Sequence, residues 1–455
     1  MPERLFGTDG VRGKAGLPPL DRETIRRLGA ALVRSLSGNG GSPPHLLIGR
    51  DTRESGSWIE RELAFGAASA GARVTSAGVV PTPAVAFLTR RLDVDAGIVI
   101  SASHNPFEDN GIKVFSHRGE KFTEELETGV ERILADRSWE VPPGEAEAVR
   151  AVDLSAPYLA HVRSVLTDGA RLGRLAVGVD CANGATSRLA PRLMHELGFE
   201  VTSIGCEPDG RNINLDCGST HPEKLSALVV AKGLRLGVAF DGDGDRAIFV
   251  DERGAIVNGD HVMLTAARYL QSVGRLRGNA VVATVMSNIG LEIALRESGI
   301  GLVRAPVGDK YVMEEMIRRN LALGGEQSGH VIFADLLFTG DGLITAMQVL
   351  QVMAATGRNL SDLASELRTY PQVLVNVRVA RKQALESLPG VTAAIGRVEG
   401  RLAGEGRLLV RYSGTEPLLR IMIEGRDQQQ ISSWAEEIAD EVRAEIGAGY
   451  GPGAE

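Results

Sequence analysis

Cysteine, lysine, aromatic residues and long apolar runs are all scarce in this chain, and each shortage narrows what it can be. The three cysteines, Cys181, Cys206 and Cys217, are an odd number with no C-x-x-C spacing. That argues against a disulfide framework or a structural zinc site and fits a reducing compartment. No stretch reaches the roughly 20 apolar residues that span a bilayer, and the opening Met1-Pro2-Glu3-Arg4 carries no apolar signal region. The expected location is therefore the cytosol. Lysine stands at only seven positions and the formal net charge is -8, so no general attraction to nucleic acid or to an anionic membrane is expected. Any phosphate must be held by local cationic clusters. Aromatic residues make up 4 % of the chain whereas glycine occurs 55 times, which suits tight turns and loops where backbone approaches a ligand closely.

At 455 residues the chain is long enough for three or four domains, each with its own core. Three segments repeat one plan of apolar strand, polar loop, amphipathic helix, glycine and second strand. The first runs from Leu46 to Asp51, through a helix ending near Gly71, into Ala72 to Thr75. The second starts at Leu175 to Asp180 and, after Gly198, enters Phe199 to Thr202. The third starts at Ala280 to Val285 and, after Gly299, enters Ile300 to Val303. Because the spacings between copies differ, this predicts related α/β domains with different insertions, not a solenoid. After Tyr370-Pro371 come alternating strands over Val373 to Val379, Leu408 to Tyr412 and Leu418 to Glu424, then a helix from about Gln429 to Ile446, a separate α+β piece. The expected fold class is α/β, with three related α/β domains of mixed sheets (1–150, 151–253 and 254–369) and a C-terminal α+β domain (370–455), arranged around a central cleft.

Five loops carry the chemistry. Asp241-Gly242-Asp243-Gly244-Asp245-Arg246 lies between the apolar runs Gly237 to Phe240 and Ala247 to Val250. On extended backbone, carboxylates at alternate positions point the same way, and like charges so close are costly unless a cation sits among them. Oxygen ligands on a glycine-flexed loop favour Mg²⁺ or Ca²⁺ over zinc or copper. An EF-hand shares part of the spacing, with Glu252 at the twelfth position. It fails because Arg246 stands where that loop needs glycine and the flanks read as strands.

Gly97-Ile98-Val99-Ile100 delivers Ser101-Ala102-Ser103-His104-Asn105-Pro106 into a loop, with Lys113 downstream. A serine at the C-terminal end of a buried strand is rigid yet accessible, as a phosphoryl carrier must be. Gly324-Gly325-Glu326-Gln327-Ser328-Gly329-His330 offers a carboxylate and a hydroxyl suited to sugar hydroxyls. In Arg411-Tyr412-Ser413-Gly414-Thr415-Glu416-Pro417-Leu418-Leu419-Arg420, two arginines bracket a Ser-Gly-Thr turn, an arrangement that can surround a phosphate. Phe6-Gly7-Thr8-Asp9-Gly10-Val11-Arg12-Gly13 adds a glycine-rich loop with an arginine. Taken singly, several of these loops also fit ordinary turns; their joint occurrence decides.

Together, and in their order along the chain from Ser103 through Asp241 and Glu326 to Arg411, four of these loops resemble those of the α-D-phosphohexomutase superfamily across essentially the whole chain. The resemblance implies a phosphoserine at Ser103, one magnesium ion per chain on Ser103, Asp241, Asp243 and Asp245, sugar contacts from Glu326 and Ser328, and a phosphate site from Arg411, Ser413, Gly414, Thr415 and Arg420. It also implies a hexose 1,6-bisphosphate, of glucose or glucosamine, as activator and intermediate. Arg12, Lys113, His330 and Arg246 are candidates for proton transfer or charge stabilisation, and their sequence does not rank them. The N-terminal loop, Gln327, and Asn212-Ile213-Asn214 with Cys217 to Glu223 are similar to the branch that isomerises glucosamine phosphates on the way to UDP-N-acetylglucosamine and cell-wall precursors. Tyr412 departs from the proline frequent among relatives. The alternatives are a phosphomannomutase/phosphoglucomutase, a magnesium phosphatase and a non-catalytic sugar-phosphate binder. The implied partner is a small hexosamine phosphate, with monomer and homodimer both left open.

Overall fold

The computed structural model describes residues 5–7, 9–36, 42–413 and 417–447. By its internal contacts the chain falls into two units, Met1–Met286 with Ile300–Glu366, and Ser287–Gly299 with Leu367–Glu455. No described helix is long and apolar enough to cross a membrane.

The first unit holds three mixed sheets built to one plan. In the first, β1 (Val11–Lys14), β2 (His45–Arg50), β3 (Arg73–Val79), β4 (Ala96–Ile100) and β5 (Asp109–Ser116) are ordered β1-β5-β4-β2-β3. Strands β2, β3 and β4 are parallel, while β5 runs antiparallel to β4 and to β1. The second sheet contains β6 (Ala176–Asp180), β7 (Glu200–Ile204), β8 (Leu236–Phe240), β9 (Ala247–Asp251) and β10 (Ile256–Val257), ordered β10-β9-β8-β6-β7. Its pairings repeat those of the first, a parallel trio closed by antiparallel β9. The third has β11 (Ala280–Thr284), β12 (Gly301–Ala305), β13 (Leu323–Gly325) and β14 (Val331–Phe333), ordered β12-β11-β13-β14. There too a parallel trio meets one antiparallel strand.

The strands read as near-continuous apolar runs because helices cover both faces of such sheets. Every residue of β4, β8 and β9 is buried; each large aliphatic side chain there, such as Ile98 or Ile100, contributes roughly 1.5–3 kcal/mol by leaving water. Helix starts follow capping chemistry. Asn258 accepts hydrogen bonds from the backbone N–H groups of Asp260 and His261 at the head of helix Gly259–Ser272, and Asp341 accepts one from Ile344 ahead of Gly342–Thr356.

The shared plan places three of the sequence motifs at equivalent points. The loop joining the third parallel strand to its antiparallel neighbour carries Ser103 between β4 and β5, the three aspartates between β8 and β9, and Glu326 to His330 between β13 and β14. At each point the chain leaves a buried strand and reverses, which holds the loop's base rigidly while its tip stays polar.

The second unit contains β15 (Gln372–Arg378), β16 (Arg407–Tyr412) and β17 (Leu418–Glu424) in an antiparallel sheet ordered β15-β17-β16. Helices Pro389–Leu402 and Gln428–Ile446 supply Val391, Val398, Ile438 and Val442 to its core. Asn288, at the head of helix Ile289–Glu297, ties that helix into the unit by hydrogen bonds from its Nδ2 to Tyr370 O at 2.9 Å and Glu424 Oε1 at 3.2 Å.

Candidate active site

Asp241, Asp243 and Asp245 are each no more than 3 % exposed, and one carboxylate oxygen from each lies within 4.8 Å of the others. Glycine permits this approach: Gly244 has φ +72°, and a Cβ on Gly184 would lie 2.3 Å from Gly242 O, so the segment after β6 can press directly against the aspartate loop. Burial, reinforced by Asp245 and Asp243, pushes the Asp241 carboxyl well above its ordinary pKa. For Asp245 burial acts in the same direction, but Lys113 and His330 outweigh it and hold that carboxyl low. Asp243 Oδ1 is a buried acceptor without a hydrogen-bond donor, and Asp245 Oδ1 is approached at 3.5 Å by His330 Nδ1 and at 3.8 Å by Arg246 Nε. Under-satisfied buried oxygens on an all-carboxylate set fit a hard divalent cation.

Ser103 faces this cluster. Its Oγ donates to Asp241 Oδ2 at 2.5 Å and its backbone sits at φ +53°. Lys113, on β5, reaches in from the other side, with Nζ 2.9 Å from Asp243 Oδ2, 3.1 Å from Asp9 Oδ2 and 3.4 Å from Asp245 Oδ2. Burial disfavours its charge, yet these three carboxylates prevail and hold its pKa well above the ordinary value. His330 places Nδ1 3.5 Å from Asp245 Oδ1 and Nε2 3.4 Å from Asp309 Oδ2. Burial opposes its charge as well, and Asp245 and Asp309 overcome it, so the pKa rises. Lys121 pairs with both Asp309 and Asp9. The result is a closed ring of acidic and basic groups, Asp9, Lys113, Asp245, His330, Asp309, Lys121 and back to Asp9, whose charges alternate throughout when His330 is protonated.

A cleft of about 440 Å³ opens on this ring, lined among others by Arg12, His104, Arg246, Asp309, Glu326 and His330, a size that takes a small polar ligand. Arg12 Nη1 donates to Ala102 O at 2.8 Å and its Nη2 pairs with Asp9. Arg246 Nε is a buried donor without a hydrogen-bond partner. Burial, then Arg246 and Arg12, lower the His104 pKa to about 4, which leaves that ring neutral at pH 7. Glu326 accepts a hydrogen bond from Gly308 N–H at 3.1 Å, and Ser328 Oγ donates to it at 3.4 Å.

Ser103, the three aspartates, Lys113, Arg12, Arg246, Glu326, Ser328 and His330 all lie in the first unit, and the structure brings them together. Gln327 points elsewhere: its Nε2 donates to Asp260 Oδ2 at 3.1 Å, at the head of helix Gly259–Ser272. Arg411, Ser413 and Arg420 belong to the second unit, where the hairpin register sets Arg411 directly opposite Arg420 and Lys382 Nζ donates to Ser413 O at 2.6 Å. Gly414 and Thr415 lie outside the described residues. Sequence reasoning missed Asp9, Lys121 and Asp309. Asp9 sits inside the N-terminal glycine loop and was available there, whereas Lys121 and Asp309 carry no local signal and meet only through folding.

A buried serine hydrogen-bonded to a carboxylate triad beside a polar cleft is an arrangement suited to phosphotransfer, and comparison with known proteins identifies the family. Four profiles of phosphoglucomutase/phosphomannomutase match: α/β/α domain I over residues 3–140, domain II over 156–254, domain III over 258–370 and the C-terminal domain over 374–441. The chain belongs to this family, the α-D-phosphohexomutases. Within it, phosphoglucosamine mutase from Solibacter usitatus is 50 % identical over 448 residues, covering 98 % of this chain and all of that one. Among solved structures, a phosphoglucomutase/phosphomannomutase family protein from Burkholderia thailandensis superposes with TM-score 0.79 at 25 % identity over 97 % of both chains. N-acetylphosphoglucosamine mutase from Aspergillus fumigatus, solved in complex with GlcNAc-6P and magnesium, shares the fold at TM-score 0.64 and 17 % identity, over 98 % of this chain and 96 % of that one.

Proposed function

We propose that the chain interconverts glucosamine 6-phosphate and glucosamine 1-phosphate through a bound 1,6-bisphosphate, with Ser103 as the phosphoryl carrier. The observation that carries this reading is the placement of Ser103 Oγ against Asp241, in the carboxylate cluster whose other two members, Asp243 and Asp245, pair with Lys113.

In the forward half-reaction a sugar hydroxyl oxygen attacks the phosphorus of phospho-Ser103, the bond from phosphorus to Ser103 Oγ breaks, and the hydroxyl gives up its proton. In the second half Ser103 Oγ attacks the other phosphoryl group of the bisphosphate, that phosphorus–sugar bond breaks, and the sugar oxygen regains a proton. Two chains of groups lead away from the reacting centre and can carry the proton, His330 toward Asp309 and Lys113 toward Asp9. Asp241, Asp243 and Asp245 would hold one Mg²⁺ together with an oxygen of the seryl phosphate, an ion whose chemistry is to neutralise charge on a transferring phosphoryl group. Arg246, whose buried Nε has no hydrogen-bond partner and lies 3.8 Å from Asp245 Oδ1, would meet phosphoryl oxygens beside the carboxylates. Glu326 and Ser328 orient sugar hydroxyls, and Arg411, Ser413, Gly414, Thr415 and Arg420 form the site for the distal phosphate.

The test is parallel isomerisation of glucosamine 6-phosphate, glucose 6-phosphate and mannose 6-phosphate, with Mg²⁺ and catalytic bisphosphate, by wild type and Ser103→Ala. Preference for the amino sugar, lost in the variant, is expected. Better turnover of glucose or mannose phosphates would assign the chain to the phosphomannomutase/phosphoglucomutase branch, and net phosphate release without isomerisation would refute the mutase reading.

A further inference from the structure

The serine loop rests on a side chain that no reaction step uses. Arg53 follows β2 and its side chain is wholly buried. Its Nη2 donates to Ser103 O at 3.0 Å and Asn105 O at 2.9 Å, its Nη1 to Pro106 O, and its Nε to Asp51 Oδ2 at 2.9 Å. Asp51 Oδ1 accepts the Arg53 backbone N–H at 3.0 Å, and Asp51 Oδ2 also accepts Ser101 Oγ–H at 2.6 Å. Ser101 Oγ in turn accepts the Ser103 N–H at 2.9 Å. Asn214 Nδ2 adds hydrogen bonds to Ser103 O at 2.9 Å and Asn105 O at 3.1 Å. Both backbone polar groups of Ser103 are thereby tethered to one circuit.

We propose that Arg53, seconded by Asn214, is the positioning residue that aims Ser103 Oγ at the metal-binding carboxylates during phosphoryl transfer. The inference rests on reading Ser103 as the phosphoryl carrier. A planar guanidinium can gather several carbonyl oxygens in one plane, which an ammonium cannot. The carbonyls of residues 103, 105 and 106 are gathered by one guanidinium while the Ser103 Oγ reaches Asp241 Oδ2. The cost is visible in the backbone: Ser103 is held at φ +53°, a conformation that residues with a side chain rarely adopt and that persists only where surrounding bonds over-determine it. Burial of an arginine is itself unfavourable without a full set of partners, and here the partners are Asp51 and the carbonyls of the serine loop. In-line displacement depends on sub-ångström placement of the reacting oxygen, so loosening this circuit acts on turnover before it acts on substrate binding.

Arg53→Lys keeps the charge beside Asp51 and removes the fork. The expected result is a folded protein whose kcat falls about a hundredfold while KM for glucosamine 6-phosphate stays within about threefold, and whose phosphorylated form loses a larger share of its phosphoryl groups to water per turnover. A folded variant with wild-type kcat would overturn the proposal, as would a loss of kcat that merely tracks the folded fraction seen by circular dichroism. If Arg53→Lys does not fold, Asn214→Gly, which suits the φ of +59° at that position, poses the same question by removing two of the tethers; kcat should fall about tenfold at constant KM, and an unchanged kcat would overturn it. Ser103→Ala measured alongside separates the two readings. Full turnover in that variant removes the carrier role itself, whereas a dead Ser103→Ala beside a normal Arg53→Lys removes only the positioning role.

Discussion

Gly340→Ala should disable His330 without touching it chemically. Gly340 lies against the imidazole: a Cβ there would come within 2.5 Å of Nε2 and 2.6 Å of both Cδ2 and Cε1 of His330, and the Gly340 N–H donates to His330 Nε2 at 3.0 Å. Gly340 is not at positive φ, so alanine meets no backbone objection and the conflict is wholly with the ring. Restoring ordinary contact requires the imidazole to retreat by about 1 Å, away from the positions that put it 3.5 Å from Asp245 and 3.4 Å from Asp309. Overpacking of this kind costs about 1–3 kcal/mol of stability, which a 455-residue chain should survive. A displacement of that size in a reacting group lowers kcat about a hundredfold. The control is Gly129→Ala, in helix Glu124–Ala135, where a Cβ meets nothing within 4 Å and a gain of up to ~1 kcal/mol is expected. Steady-state kinetics and urea unfolding of both variants decide the matter. A folded Gly340→Ala with wild-type kcat would show that His330 has no part in turnover or that the ring is far less confined than its contacts require.

Burial raises the Asp341 pKa to about 7, while the unfolded chain releases that proton near pH 4. The folded state therefore keeps a proton that the unfolded state has lost, so the contribution to stability is complete below about pH 4 and declines as pH rises toward 7, by at most roughly 4 kcal/mol. Asp341→Asn should flatten that part of the pH profile in urea unfolding, and an unchanged slope would refute the assignment. Asp243→Asn should weaken Mg²⁺ binding at least about tenfold by calorimetry, because it removes one of three buried carboxylates; unaltered affinity would place the ion elsewhere. Gln327→Met should cost about 1 kcal/mol through loss of its hydrogen bond to Asp260 and leave the preference between glucosamine and mannose phosphates unchanged. A reversal of that preference would show that Gln327 reads the sugar.

Much of this architecture was legible in the linear chain. The strands read at Leu46, Leu175 and Ala280 all exist, as do the helix ends marked by Gly198 and Gly299, because a buried strand and a capped amphipathic helix are local patterns written in residue type and spacing. The Asp-x-Asp-x-Asp loop pointed to a carboxylate cluster able to hold a cation for the same reason: its three charges are close in sequence, so their repulsion is visible without a fold. Gln327 shows the limit of that approach, since its loop placed it beside Glu326 yet the side chain turns to a helix start that no local pattern connects with it.

What the sequence determined by itself is the set of local devices: the repeated strand and helix units, the glycine-flexed aspartate loop, and a serine delivered by a buried strand. The tertiary structure alone decided which charges face one another. Asp9, Lys113, Lys121, Asp245, Asp309 and His330 come from several separate segments of the chain, and a ring of ion pairs depends on approaches closer than 4 Å that only packing sets. It also decided that a buried arginine, Arg53, stands behind Ser103. An isolated arginine in sequence is an ordinary surface residue, and its meaning here comes from the carbonyl groups that folding turns toward it.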